Sequence, residues 1–237
     1  MSKLRSRLRV SLFGLLAITM LAAVGIACWS RSAKRQKLLV EGILASGGNV
    51  AYDWQLDEVA RDFKVNPSSA YPKWLLDLFG EHYFHSVAFA QIDASKCKPG
   101  DMEFLRYGDS LDELSIYGGD PSGLFDTAYL PNLKRLDVMD ERIPVNFSFL
   151  SKLTRLEHVS LDASRMDGLS ALQDLPRLRH VYLRTAEIVS PEELSELKQI
   201  ETLDIHSVHP ELLPVLTEEQ LEKLKEDLPL CNIGTAP

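Results

Sequence analysis

Apolar residues recur along the C-terminal two-thirds of the chain with a period of 22 or 23 residues. Each unit contains two apolar residues with one residue between them, and the first members of successive pairs are separated by 22, 23, 22 and 22 residues. A further apolar residue precedes each pair by three positions. A period of this length indicates stacked copies of one supersecondary unit. The five pairs are Leu114/Ile116, Leu136/Val138, Val159/Leu161, Val181/Leu183 and Leu203/Ile205.

The spacing within each unit predicts its local structure. Alternation with period two is typical of a strand that buries one face. Leucines at a spacing of three, such as Leu172, Leu175 and Leu178, suit a short helix or a 3-10 turn behind the strand. One unit cannot bury its own apolar face, whereas stacked units can. The sequence therefore predicts a curved parallel sheet of about six to eight strands backed by short helices.

This pattern, L-x-x-L-x-L, resembles the leucine-rich repeat over roughly residues 84–233. The resemblance implies an α/β leucine-rich-repeat solenoid with the repeats in residues 87–216. We expect a juxtamembrane helix and an atypical N-terminal cap in residues 31–86, and a C-terminal cap in residues 217–237. Many such repeats have a polar residue three positions after the second strand residue, where it satisfies turn backbone. These positions hold Gly119, Glu141, Ser164, Ala186 and Val208, so no such polar ladder is expected.

An uncharged apolar run near the N-terminus predicts a transmembrane helix. Residues 10–30 contain no charged side chain and follow a basic segment at residues 1–9. A helix of that length spans about 31 Å, which matches a hydrocarbon core of about 30 Å. Trp29 lies at one end, where an amphipathic ring suits the membrane interface.

Three interpretations of this run remain open. Its length and the basic stretch after it favour an uncleaved single-pass signal anchor. Gly25, Ile26 and Ala27 also fit the cleavage site of a secretory signal, and Cys28 could be the lipidated residue of a lipoprotein. Four basic residues flank the run on each side, so charge does not fix its orientation. A signal anchor favours a cytoplasmic N-terminus, with the solenoid on the extracytoplasmic, periplasmic side.

The charge of the chain is unevenly placed. The whole sequence carries a net charge of −8. The first 37 positions contain eight basic residues and no acidic residue. The remaining 200 positions hold 18 basic and 34 acidic residues. An acidic domain of this kind repels phosphate backbones, which argues against a nucleic-acid partner.

The layout also resembles a group of bacterial single-pass membrane proteins with degenerate leucine-rich repeats. The shared features are a basic N-terminus, one apolar span, a helix ending at Gly47 and Gly48, and a closing Leu-Pro-Leu-Cys-Asn-Ile segment at residues 228–233. The resemblance implies a bacterial membrane protein and implies no activity.

The residues that flank the strand leucines are predicted to form three columns on the concave side of the sheet. Solenoids bind proteins on such surfaces, and Tyr and Arg are enriched at binding hot spots. We therefore define a candidate protein-binding surface, the concave face. Its residues are Arg135, Asp137, His158, Ser160, His180, Tyr182, Arg184, Asp204 and His206.

No motif in the sequence indicates a catalytic or cofactor site. The adjacent His158 and His180, and the His82-x-x-His85 pair, suggest metal ligation but lack a third ligand at obvious range. We therefore expect a non-catalytic, membrane-anchored adaptor or scaffold with an unknown protein partner and no cofactor. The alternatives are a structural envelope protein without a specific partner and a metal-dependent hydrolase that uses the histidine-bearing face.

Overall fold

Each strand of the sheet pairs with the next strand along the chain. The computed structural model describes residues 12–56, 64, 67–97, 101–119, 121, 130–208 and 214–236. Over these residues the sheet has eight strands in the order β1 to β8; β1 pairs antiparallel with β2, and every later pair is parallel. The strands are β1 (Asn49–Tyr52), β2 (Val87–Asp93), β3 (Glu113–Tyr117), β4 (Arg135–Asn146), β5 (His158–Asp167), β6 (His180–Ile188), β7 (Thr202–Ser207) and β8 (Asn232–Ala236).

The apolar pairs of the repeat form the core of the solenoid. All ten of their side chains are at most 3% exposed. The residues three positions before each pair, such as Leu133 and Leu178, are buried with them. The predicted parallel sheet and its register are therefore confirmed.

Short 3-10 helices cover the back of the sheet. They span Ser148–Lys152, Leu169–Asp174 and Pro191–Glu196. A unit of 22 residues that already contains a strand and two turns leaves no room for a long α-helix. A turn recurs at the end of each of these helices; for example, the Leu178 N–H donates to the Leu175 carbonyl at 3.2 Å.

In two repeats a buried polar residue lies two positions after the second residue of the apolar pair. The position considered from the sequence lies three residues after it. Thr185 is fully buried, and its hydroxyl donates to the Glu187 carbonyl at 3.0 Å. Asp140, at the same place in β4, is also buried and binds the Arg142 guanidinium at 3.0 and 3.1 Å. The physical reason is that these strands extend beyond the leucines, so the period-two alternation turns this position inward.

One helix, α1 (Leu12–Ala45), joins the apolar run to the solenoid without a break at residue 30. Its first half is exposed and apolar. Its second half packs into the core through Ala33, Leu39 and Ile43, which are 2% exposed or less. A Cβ added at Gly42 would lie 2.2 Å from Cγ of Phe104, so only glycine permits this close approach. The second half of α1 is therefore the first layer of the solenoid.

The two ends of the solenoid carry atypical units. At the N-terminal end, α1 ends just before Gly47, whose φ of 73° is a conformation that glycine tolerates. A short helix, α2 (Lys73–Phe79), follows β1, and α3 (Glu218–Asp227) covers the C-terminal end. Thr217 caps α3, since its hydroxyl accepts the N–H of Gln220 at 3.2 Å. The predicted basic segment at residues 1–9 lies outside the described residues.

Candidate functional site

The strand register assembles the three predicted columns. In the first column Arg135 pairs with His158, His158 with His180, and His180 with Thr202. In the second, Asp137, Ser160, Tyr182 and Asp204 pair in the same way. Neighbours in a column lie about 4.8 Å apart because they occupy adjacent strands. Asp162, Arg184 and His206 form the third column.

A shallow depression of about 140 Å³ lies in the middle of the concave face. Seven of the nine residues of the concave face line it, and the other two, Arg184 and His206, belong to the third column beside it. Thr202 also lines the depression but was left out of the sequence-based set. Its place in the first column was the signal that could have identified it.

Two imidazole rings of the first column stack on each other in the depression. The rings of His158 and His180 are 4.2 Å apart between centroids and 14° from parallel. Nδ1 of His180 and the hydroxyl of Thr202 are 2.8 Å apart, so one donates to the other. The stack gives the depression a flat, fixed wall of two adjacent rings.

Asp137 and Arg135 are charged groups that the protein itself solvates poorly. Burial, together with the nearby Glu113 carboxylate, raises the pKa of Asp137 to about 6, while the Arg135 guanidinium opposes this shift. The Arg135 Nε lies 3.7 Å from the Glu113 carboxylate and makes no hydrogen bond among the described residues, although it is buried. Both groups gain from a further polar partner in the depression.

The rim of the depression is formed by Tyr182 and Arg184. The Tyr182 ring is 36% exposed and stacks on His206 with a centroid distance of 4.8 Å. Arg184 Nε donates to Oδ2 of the buried Asp162 at 2.9 Å. The other oxygen of Asp162 is buried without a hydrogen bond among the described residues. Ring stacking and the ion pair thus fix both side chains before any ligand arrives.

We expect Asp137 to make stability depend on pH. The folded state holds its proton up to about pH 6, whereas the ordinary pKa is 3.8. The contribution of Asp137 to the free energy of unfolding is therefore most favourable below pH 4 and decreases as the pH rises through about 6. Asp137→Asn should stabilise the protein by roughly 1–3 kcal/mol at pH 7 and change it little at pH 4, as measured by urea unfolding. An equal effect at both pH values would contradict a buried carboxyl.

No metal centre is formed by the described residues. They contain no group of three or more His, Cys, Asp and Glu side chains placed to hold an ion. Of the pair His82 and His85, which the sequence suggested as metal ligands, His85 makes contacts with other residues through both ring nitrogens. Its Nε2 is 2.7 Å from the Ser69 hydroxyl and its Nδ1 is 3.3 Å from the Asp53 carboxylate.

The Ser69–His85–Asp53 chain fastens the N-terminal cap. His85 is 8% exposed, and its ring lies among those of Tyr52, Trp54 and Tyr71. The Ser69 hydroxyl oxygen also accepts the N–H of Tyr71 at 3.0 Å, so Ser69 links the segment before α2 to His85, two residues before β2. Sequence reasoning missed this cluster because its members are far apart in the chain.

Comparison with known proteins returned structural likeness only. No family model and no curated protein matches the chain. A leucine-rich-repeat protein of Leptospira interrogans is 18% identical with a TM-score of 0.40, over 55% of this chain and 32% of its own. Two internalins of Listeria monocytogenes are 17% and 16% identical with TM-scores of 0.39 and 0.40, over 57% and 62% of this chain and 56% and 43% of theirs. The chain thus spans about a third to a half of these proteins.

The assignment of the fold rests on the repeat itself. Parallel strands recur every 22 or 23 residues, with the predicted apolar pairs buried and the predicted columns in register. Short 3-10 turns alternate with these strands, and the long apolar helix α1 precedes them. The chain is therefore a leucine-rich-repeat solenoid.

Proposed function

We propose that this protein is a non-catalytic adaptor or scaffold that is anchored in a membrane and binds another protein through its concave face. The observation that carries the proposal is the depression, where Arg135, whose Nε makes no hydrogen bond among the described residues, and the poorly solvated Asp137 lie beside stacked rings. A protein partner could satisfy these groups and cover the rings in one contact.

The chemistry of the concave face indicates what such a partner presents. At neutral pH Asp137 is a poorly solvated carboxylate that lines the depression. It favours donors such as Lys, Arg or backbone N–H groups. Tyr182 offers a fixed aromatic surface on which an apolar or cationic side chain can pack. We therefore expect a partner with a cationic segment.

The proposed anchor is α1. Residues 14–45 of this helix are long and apolar enough to cross a membrane, and none of the most apolar window is buried inside the protein. The large apolar side chains of its first half, such as Met20 and Leu21, are more than two-thirds exposed. A helix that spans a bilayer satisfies its own backbone and covers such side chains with lipid. We place its N-terminus in the cytoplasm and the solenoid on the extracytoplasmic side.

The test is photo-crosslinking in intact membranes with the crosslinking amino acid at one of two positions. Ser160 lies in the depression, and Asp174 is exposed on the back of the solenoid. We expect a discrete adduct from position 160 and none from position 174. Tyr182→Ala should weaken the interaction about 30-fold or more, because removal of a hot-spot residue costs about 2 kcal/mol.

Other outcomes would contradict parts of the proposal. Adducts of similar yield from both positions, or none from position 160, would favour a structural envelope protein without a specific partner. Covalent labelling of Ser69 by a fluorophosphonate would overturn the non-catalytic part, since Ser69, His85 and Asp53 have the order of hydrogen bonds found in serine hydrolases.

A further inference from the structure

The exposed surface of α2 carries a cluster of large apolar side chains, beside which Lys73 and Asp77 are also exposed. Trp74 and Leu78 are 66% and 67% exposed, and their i,i+4 spacing places them side by side. Phe79 and Tyr71 are also exposed, at 47% and 42%. We call these four residues the α2 patch. Exposed apolar side chains in a cluster mark a contact surface, because water covers them poorly.

The α2 patch is continuous with the end of the apolar run of α1. Phe79 contacts Tyr83 and Phe84, with both centroid distances at 6.3 Å, and Tyr71 contacts Phe84 at 4.9 Å. On their other side, Tyr83 and Phe84 contact Trp29 at 5.3 and 6.0 Å. The Trp29 indole also donates to the Tyr83 carbonyl at 2.8 Å. An unbroken series of rings thus links the patch to Trp29.

Trp29 marks the level at which α1 would leave a bilayer. It ends the uncharged run of the helix, and the basic residues Arg31, Lys34, Arg35 and Lys37 follow it. Tryptophan is enriched at the membrane interface, and basic side chains just beyond it face lipid headgroups. The rings that extend sideways from Trp29 therefore lie at interface depth.

The position of the patch is fixed by the cap. The segment before α2 is held by the Ser69–His85 hydrogen bond and the His85–Asp53 contact, and the Tyr71 ring packs on His85 at 5.4 Å. Trp29 in turn belongs to the same helix that packs into the core through Leu39. The patch and the helix are consequently parts of one rigid assembly.

We propose that the α2 patch is a second membrane contact, which inserts into the interface of the same bilayer that α1 crosses. This proposal rests on the anchoring part of the proposed function. A short amphipathic helix lying in the interface beside a spanning helix gives the solenoid two attachment points. The solenoid is then held at one tilt relative to the membrane, with lipid covering the side chains that the protein leaves exposed.

Tryptophan fluorescence of the full-length protein in phospholipid vesicles tests the proposal, because the chain has three tryptophans. Trp29→Phe combined with Trp54→Phe leaves Trp74 alone. We expect lipids brominated on the upper acyl chain to quench Trp74 as strongly as they quench Trp29, and acrylamide in the water to quench it weakly. The matched control keeps Trp54 alone. Its indole N–H is buried beside His85, so brominated lipid should leave it bright.

The same vesicles separate the two claims. Quenching of Trp29 but not Trp74 by brominated lipid would overturn the second contact and leave the anchor in place. Quenching of neither would overturn both. Protection of Trp74 from brominated lipid and from acrylamide would show that protein covers the patch, which also overturns the proposal. Wild type compared with Trp74→Phe alone gives the same information if the double variants fold poorly.

Discussion

Leu183→Asn should destabilise the protein by roughly 4 kcal/mol, a large part of the stability of an ordinary domain. Leu183 is fully buried in the central part of the sheet, between Leu161 and Ile205. The substitution leaves a cavity and buries an amide that the apolar neighbours cannot satisfy. Urea unfolding of the detergent-solubilised protein, followed by circular dichroism, measures the loss.

Tyr182→Asn is the matched control. Residue 182 precedes Leu183 in the same strand but faces solvent, with 36% of its surface exposed. Both substitutions introduce the same side chain into the same strand, so any difference reports which face is buried. We expect the change at position 182 to cost less than about 1 kcal/mol. Equal losses would mean that the sheet has a different register.

Leu39→Asn should cost roughly 3 kcal/mol, because the second half of α1 belongs to the core of the solenoid. Leu39 is fully buried in the same hydrophobic cluster as Ile43 and Val87. Thermal unfolding followed by the circular dichroism of the solenoid measures this effect. A merely flexible connection between membrane and solenoid would make the substitution silent.

Leu38→Asn is the control for the helix. Leu38 is 46% exposed and lies one residue earlier in α1, so both variants lose the same helix propensity of about 0.7 kcal/mol or less. Only the change at position 39 also removes a buried side chain. A loss at position 38 as large as at position 39 would contradict the packing of α1 described above.

The strands and the core could be predicted because the same spacing of apolar residues occurs in five units of the chain. Each apolar pair carries the same spacing, so an error in one unit would have disagreed with the other four. The register then followed, since Val159, Val181 and Leu203 had to align to bury a common face. Binding at the concave face remains a prediction.

Features that occur once in the chain were not predictable in this way. The continuity of α1 through residue 30 depends on where Leu39 and Ile43 find their partners, and those partners lie in later segments. The hydrogen bond between Ser69 and His85 joins residues 16 positions apart across a loop, and no periodic signal marks it. The buried Thr185 was not identified because the position considered from the sequence, Ala186, lies one residue later in a strand that extends past the leucines.

Under the proposed membrane anchoring, the unbroken path of α1 has a mechanical consequence for a partner held in the same membrane. A solenoid on a flexible tether would search a volume set by the length of its linker. Here the helix is stiff and its end is part of the core, so rotation of α1 about its own axis turns the concave face through the same angle. The rate at which the protein meets such a partner would then depend on lateral diffusion and on the direction in which the concave face points within the membrane plane.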